Sequence, residues 1–198
     1  MVYLCNMNYI NPEEKKLKSG DILPLMEAFY TIQGEGFFKG SAAYFIRIGG
    51  CDVGCHWCDI KESWDSKLYP ITPVPNIIDK VKKFYDIAVV TGGEPLMWNM
   101  EPLTKGLKSL NVRTHIETSG SYPVTGIWDW FCLSPKKNKL PTREAFELAD
   151  ELKIIIHNLD DFNFAELNSK KIKDKCKLFL QPEWSKRDKM MPLIVDYV

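Results

Sequence analysis

The stretch "YFIRIGGCDVGCHWCDI", residues 44–60, joins a short run of aromatic and β-branched residues to a Gly-Gly turn and then to three cysteines. The run at 43–48 has the length and composition of a buried strand, and the glycines punctuate its end. Cys51, Cys55 and Cys58, in the spacing CxxxCxxC, therefore stand just past the carboxyl end of a strand.

Comparable strand-like runs lie at 25–31, 86–91, 112–117, 129–133, 152–156 and 177–181, and helix-like segments at 75–85, 100–110, 142–150, 160–168 and 186–198. This alternation is the signature of βαβ units around a parallel sheet. The first forty residues and "ITPVPN" (71–76) read as irregular. With no repeat, low-complexity tract or linker, residues 1–198 read as a single domain. Four more unusual segments fall at strand ends: "TGGEP" (91–95), "ETSG" (117–120), "SPK" (134–136) and "QPEW" (181–184). In parallel α/β folds that edge binds ligands, so five segments are expected to converge on one site. Turn chemistry alone explains "SPK", but explains poorly two glycines followed by a carboxylate.

The 198 residues are 45% hydrophobic and 12% aromatic, enough for one sizeable core. Lys plus Arg equals Asp plus Glu at 26 each, so no basic surface argues for nucleic acid or an anionic membrane. The expected partner is a small molecule. Neither a secretory signal nor a membrane-spanning apolar run is evident, so the chain is expected to be cytoplasmic, with reduced thiols. That weakens a disulfide reading of the six cysteines, and the isolated Cys5, Cys132 and Cys176 read as buried or inert thiols.

Thiolates select zinc or iron–sulfur clusters, and a closed structural zinc site wants four ligands. His56 would complete a Cys3His set, but it adjoins Cys55, and neighbouring side chains in a tight loop diverge. Three thiolates instead hold three irons of a 4Fe-4S cluster and leave the fourth open. S-adenosylmethionine chelating that iron is cleaved by one electron to a 5′-deoxyadenosyl radical. The cluster is the preferred reading; structural zinc and a chance spacing remain the competing ones. Gly92 and Gly93 allow a ligand close to the backbone, and Glu94 suits the ammonium of a methionine moiety.

At this point the chain resembles the radical S-adenosylmethionine superfamily, through "CDVGCHWC" (51–58) and "GGEP" (92–95). Within it, the closer resemblance is to the 7-carboxy-7-deazaguanine synthase family. The pieces are "FYTIQGEGFFKG" (29–40), "YFIRIGGC" (44–51), "CHWCD" (55–59), "TGGEP", "ETSG", "LSPK" (133–136) and "LQPEWS" (180–185), in family order along nearly the whole chain. "IQGEG" (32–36) is the discriminating element.

The resemblance implies an α/β fold, a partial (βα)6-type radical SAM barrel with an N-terminal strand extension. It implies ring contraction of 6-carboxy-5,6,7,8-tetrahydropterin to 7-carboxy-7-deazaguanine with release of ammonia, in queuosine and deazapurine biosynthesis. Arg47, at the same parity as Phe45, offers a fork for the substrate carboxylate, against the alternative of a surface ion pair; Ile32, Gln33, Gly34 and Glu35 suit the pterin edge. By resemblance Thr91 also touches substrate. Trp57, Cys58, Asp59, Gly93, Glu94, Ser134, Pro135, Lys136, Gln181, Pro182, Glu183 and Trp184 surround S-adenosylmethionine, with Thr118 and Ser119 weaker candidates in the same shell. A homodimer and a flavodoxin-like reductant are also implied; the basic stretch 168–177 reads first as a solvated helix end and second as a docking surface for such a reductant.

Two departures stand out. The family shows Asp-Thr after the third cysteine, where the threonine oxygen helps bind magnesium; here Ile60 takes that place, and an apolar side chain cannot ligate a hard cation. Asp59, Ser63 or water would have to substitute. Relatives also continue beyond the helix that ends here at Val198, so a truncated or disordered tail is expected. Two other readings remain: a glycyl-radical enzyme activating enzyme, and a non-catalytic metal-binding module.

Overall fold

The computed structural model describes residues 11–81 and 86–198. One eight-stranded sheet organises them, in the order β3-β1-β2-β4-β5-β6-β7-β8. The strands are β1 (Ile22–Ile32), β2 (Ala42–Ile48), β3 (Ile71–Pro73), β4 (Ile87–Gly92), β5 (Arg113–Thr118), β6 (Trp130–Leu133), β7 (Glu151–Ile156) and β8 (Lys177–Pro182). From β2 through β8 the six core neighbours run parallel, while β1 pairs antiparallel with β2 and β3 with β1. This is the expected six-stranded parallel core with an N-terminal strand extension.

Strand alternation sorts side chains between two faces. Along β2, Tyr44, Ile46 and Ile48 join α2 (Val74–Val81) and α3 (Glu101–Ser109) in one core cluster through Ile77, Leu103 and Leu107. Along β7, Leu152, Ile154 and Ile156 join α4 (Arg143–Leu148), α5 (Asp160–Ser169) and α6 (Arg187–Tyr197) through Phe146, Ala165 and Ile194. The opposite parity faces inward: Ala43 and Phe45 pack with Ile87, Val89 and Phe38. Gln181 of β8 bonds Glu35, just past β1, so the inner face wraps far enough for opposite ends of the sheet to meet. That is the geometry of a partial barrel.

Two elements lie where the sequence reads as irregular. Helix α1 (Pro12–Ser19) buries no residue and is held by its ends: Asn11 accepts from Glu13 N at 3.1 Å, Pro12 opens it, and Gly20 closes it in the left-handed region at φ 80°. It carries no apolar stripe, so periodicity misses it. Strand β3, within "ITPVPN", exists through its pairing with Ile22–Pro24. Predicted strands are otherwise found with ends moved by one residue, except β1, which starts three residues earlier. Positions 82–85 of the helix predicted at 75–85 lie outside the described residues. Between β5 and β6 the chain crosses over without a helix.

Candidate active site

The carboxyl ends of the six parallel strands surround one cavity of about 290 Å³. Arg47 and the cysteine loop enter from β2, Thr91 to Glu94 from β4, and Glu117 to Ser119 from β5. Ser134 and Lys136 follow β6, Lys153 and Ile155 lie on β7, and Gln181 on β8. Convergence at the strand ends is therefore observed for all five sequence segments.

At one end stand Cys51, Cys55 and Cys58, with Val53, Trp57, Asp59 and Ile60. Backbone bonds pin the entry to this loop: Gly50 N donates to Ser63 O at 2.7 Å, Cys51 N to Trp64 O at 3.2 Å, and Cys58 N closes a turn on Cys55 O at 3.0 Å. From outside, Asp52 accepts from Tyr122 Oη at 2.7 Å and from Lys139 Nζ at 2.8 Å, tying the loop to later segments. Burial pushes the Cys51 and Cys55 thiols above their usual range and the neighbouring thiols add to it, while Lys136 opposes the rise at Cys55. His56 does not line the cavity; its ring packs against Trp57 and His157, with centroids 6.4 and 5.0 Å away. The loop thus presents three soft ligands and no fourth, a donor set that fits a cubane with one open iron.

The GGE segment performs a different task from the one its glycines suggest. A Cβ on Gly92 would fall 2.2 Å from Ile48 O, and one on Gly93 2.3 Å from Gly50 O. Gly93 N donates to Ile48 O at 2.9 Å and Glu94 N to Gly50 O at 2.8 Å. The glycines bring the end of β4 onto the turn that begins the cysteine loop. Glu94, 1% exposed, accepts from Leu96 N (3.0 Å), Thr118 Oγ1 (2.5 Å), Ser119 N (2.8 Å) and Ser119 Oγ (2.5 Å). Its four donors are all from the chain, so the carboxylate is a brace between β4 and β5 rather than an open acceptor.

The other end of the cavity is polar. Lys153, 6% exposed, places Nζ 2.7 Å from Glu35 Oε2 and 3.3 Å from Glu117 Oε2. Gln181 Nε2 donates to Glu35 Oε1 at 2.8 Å and Gln33 Nε2 to Glu117 Oε1 at 2.9 Å. Burial raises the Glu35 carboxyl, but the Lys153 charge and the bonds from Lys153 and Gln181 outweigh it and hold it below its usual range. Arg47 reaches the cavity from the strand beside Thr91, its register partner, and also pairs with Glu27, Nε to Oε1 at 3.3 Å. Beneath this end, Glu151 accepts from Phe37 N (3.1 Å) and Trp130 Nε1 (3.0 Å), anchoring the loop that carries Gln33 and Glu35.

Some candidates lie elsewhere. Pro135 lines a neighbouring cleft with His56 and Trp57, and Gln33 a small cavity below the site. Ile32 is 65% exposed, and nothing lies within 4 Å of a Cβ built on Gly34. Pro182 and Glu183 are outside the cavity lining; Glu183 caps the following turn through Ser185, and Trp184 is 72% exposed beneath Arg187. Only Gln181 of "QPEW" reaches the cavity. Cys132 and Cys176 are buried and Cys5 lies outside the described residues. Lys153 lies outside every motif that the sequence offers, and Glu117 stands in "ETSG" without a role of its own assigned there. The available signal was parity, a lysine inside the apolar run "LKIII" at an inward position, where a buried charge must find partners.

Magnesium finds a poor donor set. Ile60 lines the cavity, and the Ser63 hydroxyl, 1% exposed, donates to Ile60 O at 2.7 Å. Of the carboxylates lining the cavity, Asp59 is the one adjoining Ile60 in the chain. Among the described residues no three His, Cys, Asp or Glu side chains are set to hold a single metal ion.

Comparison with known proteins agrees with this geometry. The family model for the radical SAM superfamily matches residues 45–163. A protein of Flavobacterium psychrophilum named 7-carboxy-7-deazaguanine synthase is 62% identical over 182 residues, covering 92% of this chain and 87% of that protein. A Synechocystis protein of the same name is 48% identical, covering 81% and 78%. The crystal structure of QueE from Escherichia coli superposes with a TM-score of 0.79 at 28% identity, covering 95% of this chain and 94% of that one.

Proposed function

The chain belongs to the radical SAM superfamily and, within it, to the 7-carboxy-7-deazaguanine synthase family, and on that premise we propose that it converts 6-carboxy-5,6,7,8-tetrahydropterin to 7-carboxy-7-deazaguanine with release of ammonia, in queuosine and deazapurine biosynthesis. The observation that carries this reading is the two-ended cavity: three thiols at one end, a guanidinium and two carboxylates at the other. A glycyl-radical activating enzyme, which acts on a protein chain, has no need of the second end.

Cys51, Cys55 and Cys58 hold the 4Fe-4S cluster, which when bound supplies the electron that cleaves S-adenosylmethionine. Trp57, Gly93, Ser134 and Lys136 form the wall beside it; Lys136 Nζ is fixed by Ser134 O at 2.6 Å and lies 5.8 Å from the Trp57 ring centre. Glu94 acts through position, setting Thr118 and Ser119 against the same wall.

Arg47 receives the substrate carboxylate in its planar fork. Glu35 and Glu117 accept from the N–H edge of the pterin ring, and Thr91 contacts the ring beside Arg47. Magnesium, with one carboxylate and no hydroxyl here, binds weakly if at all. The enzyme works as one domain over 1–198, in the cytoplasm, as a homodimer served by a flavodoxin-like reductant. In support of the last, lysines 170, 171, 173, 175 and 177 are all exposed, though they equally form a solvated helix end. Among the described residues no helix is long and apolar enough to cross a membrane.

The deciding experiment is anaerobic reconstitution, then incubation with carboxytetrahydropterin, S-adenosylmethionine and dithionite. The expected product is 7-carboxy-7-deazaguanine with ammonia. Cleavage of S-adenosylmethionine with the pterin recovered unchanged would refute the proposal.

A further inference from the structure

Lys153 is a charged side chain at the centre of a buried parallel strand, and its surroundings explain its place. Its neighbours on β7, Leu152 and Ile154, are turned to the outer core, so Lys153 alone of the three faces the cavity. There it touches one oxygen of Glu35 and one of Glu117, at 2.7 and 3.3 Å. Each carboxylate gives its other oxygen to a glutamine, Gln181 for Glu35 and Gln33 for Glu117. Two carboxylates sharing one partly desolvated site repel, and without a cation one of them takes up a proton. A protonated carboxyl then donates where an acceptor is needed.

We propose that Lys153 is the positioning residue for the substrate end of the cavity, keeping Glu35 and Glu117 side by side as ionised acceptors for the N–H edge of a 2-aminopyrimidinone ring. The inference rests on the function proposed above and adds to it a residue that acts through the two carboxylates. Burial lowers the Lys153 pKa, but the Glu117 and Glu35 carboxylates outweigh it and hold the ammonium charged, and Lys136 is a second cation within electrostatic reach. Cys132 is buried on β6 beside Glu151, its thiol held protonated by that burial, so it supplies no competing charge. Glu151 is engaged by Phe37 N and Trp130 Nε1. The carboxylates facing Lys153 within bonding distance are therefore Glu35 and Glu117.

The test compares the pH profile of kcat/KM for the parent enzyme and Lys153→Met. Loss of the cation is expected to move the acidic limb upward by at least about one pH unit and to raise the pterin KM roughly tenfold at neutral pH. Cluster absorbance and S-adenosylmethionine affinity should stay at the parent's values. Lys153→Arg should restore the parent's limb. An unmoved limb in Lys153→Met, with parent turnover intact, overturns the inference alone; a parent that leaves the pterin unchanged overturns the function beneath it. Should Lys153→Met fail to fold, Glu117→Gln and the double variant Lys153→Met/Glu117→Gln decide instead. With one carboxylate gone the lysine is no longer required, so the two should share one KM. A further tenfold rise in the double variant would count against the proposal.

Discussion

The backbone N–H of Glu94 donates to the carbonyl of Gly50 at 2.8 Å, joining the GGE turn after β4 to the turn that starts the cysteine loop. The bond needs a close approach, and Gly93 permits it: a Cβ there would sit 2.3 Å from Gly50 O and 3.0 Å from Cys51 Cβ. Backbone atoms cannot yield as a flexible side chain can. Gly93→Ala is expected to cost about 1–3 kcal/mol in unfolding free energy and to displace Cys51. Iron and sulfide per chain after reconstitution, measured beside a denaturant titration, should both fall.

The three loop thiols and the buried ones should behave differently. Cys51→Ala, Cys55→Ala and Cys58→Ala each leave two ligands and should abolish the 4Fe-4S absorbance. Cys132→Ala and Cys176→Ala remove small buried groups and should cost stability of about 1 kcal/mol while leaving the cluster intact. A full cluster spectrum in Cys55→Ala would refute the ligand assignment.

Arg47 is asked for a planar fork as well as a charge. Lysine at this position keeps the charge and loses the paired donors, an effect of about 2 kcal/mol or roughly thirtyfold in kcat/KM. Steady-state kinetics of Arg47→Lys should show that loss, with S-adenosylmethionine binding retained. Turnover at the parent's rate would return Arg47 to its ion pair with Glu27.

His115 lies against the Phe38 ring at a centroid distance of 4.5 Å, and burial, assisted by Arg113 and opposed by Asp129, lowers its pKa from 6.5 to about 4. In the unfolded chain the imidazole takes up a proton near pH 6.5, while in the fold it does so only near 4. Its contribution is therefore complete above pH 6.5 and is lost as pH falls toward 4. Between pH 7 and 5 that amounts to about 2 kcal/mol. Urea titrations at both pH values should give a shallower loss for His115→Phe than for the parent.

Ile60 stands in the cavity wall where an oxygen donor would serve magnesium, and the Ser63 hydroxyl is already bonded to Ile60 O. Turnover is expected to respond weakly to magnesium in the parent and more steeply in Ile60→Thr. Identical saturation curves for the two would show that position 60 has no part in metal binding.

Much of this protein is written locally. Apolar runs of four to seven residues mark the strands, Gly-rich breaks mark their ends, and inward parity at Phe45 identifies Arg47 as a cavity residue. The thiol triad is equally legible, because its three ligands lie within one loop. Helix α1 is written locally too, in caps rather than in apolar spacing, and so is invisible to periodicity.

What only the tertiary structure decided are the pairings between distant segments. Lys153 and Glu35 are separated by 118 positions, Gln181 and Glu35 by 146. Propensity and periodicity describe a residue's neighbours within a turn or a strand; which side chain meets which across the cavity depends on strand order and on how far the sheet wraps. The same cause turned Glu94 from a free acceptor into a brace, drew the "ITP" of "ITPVPN" into a strand by pairing it with β1, and left Glu183 and Trp184 outside a cavity that Gln181 enters.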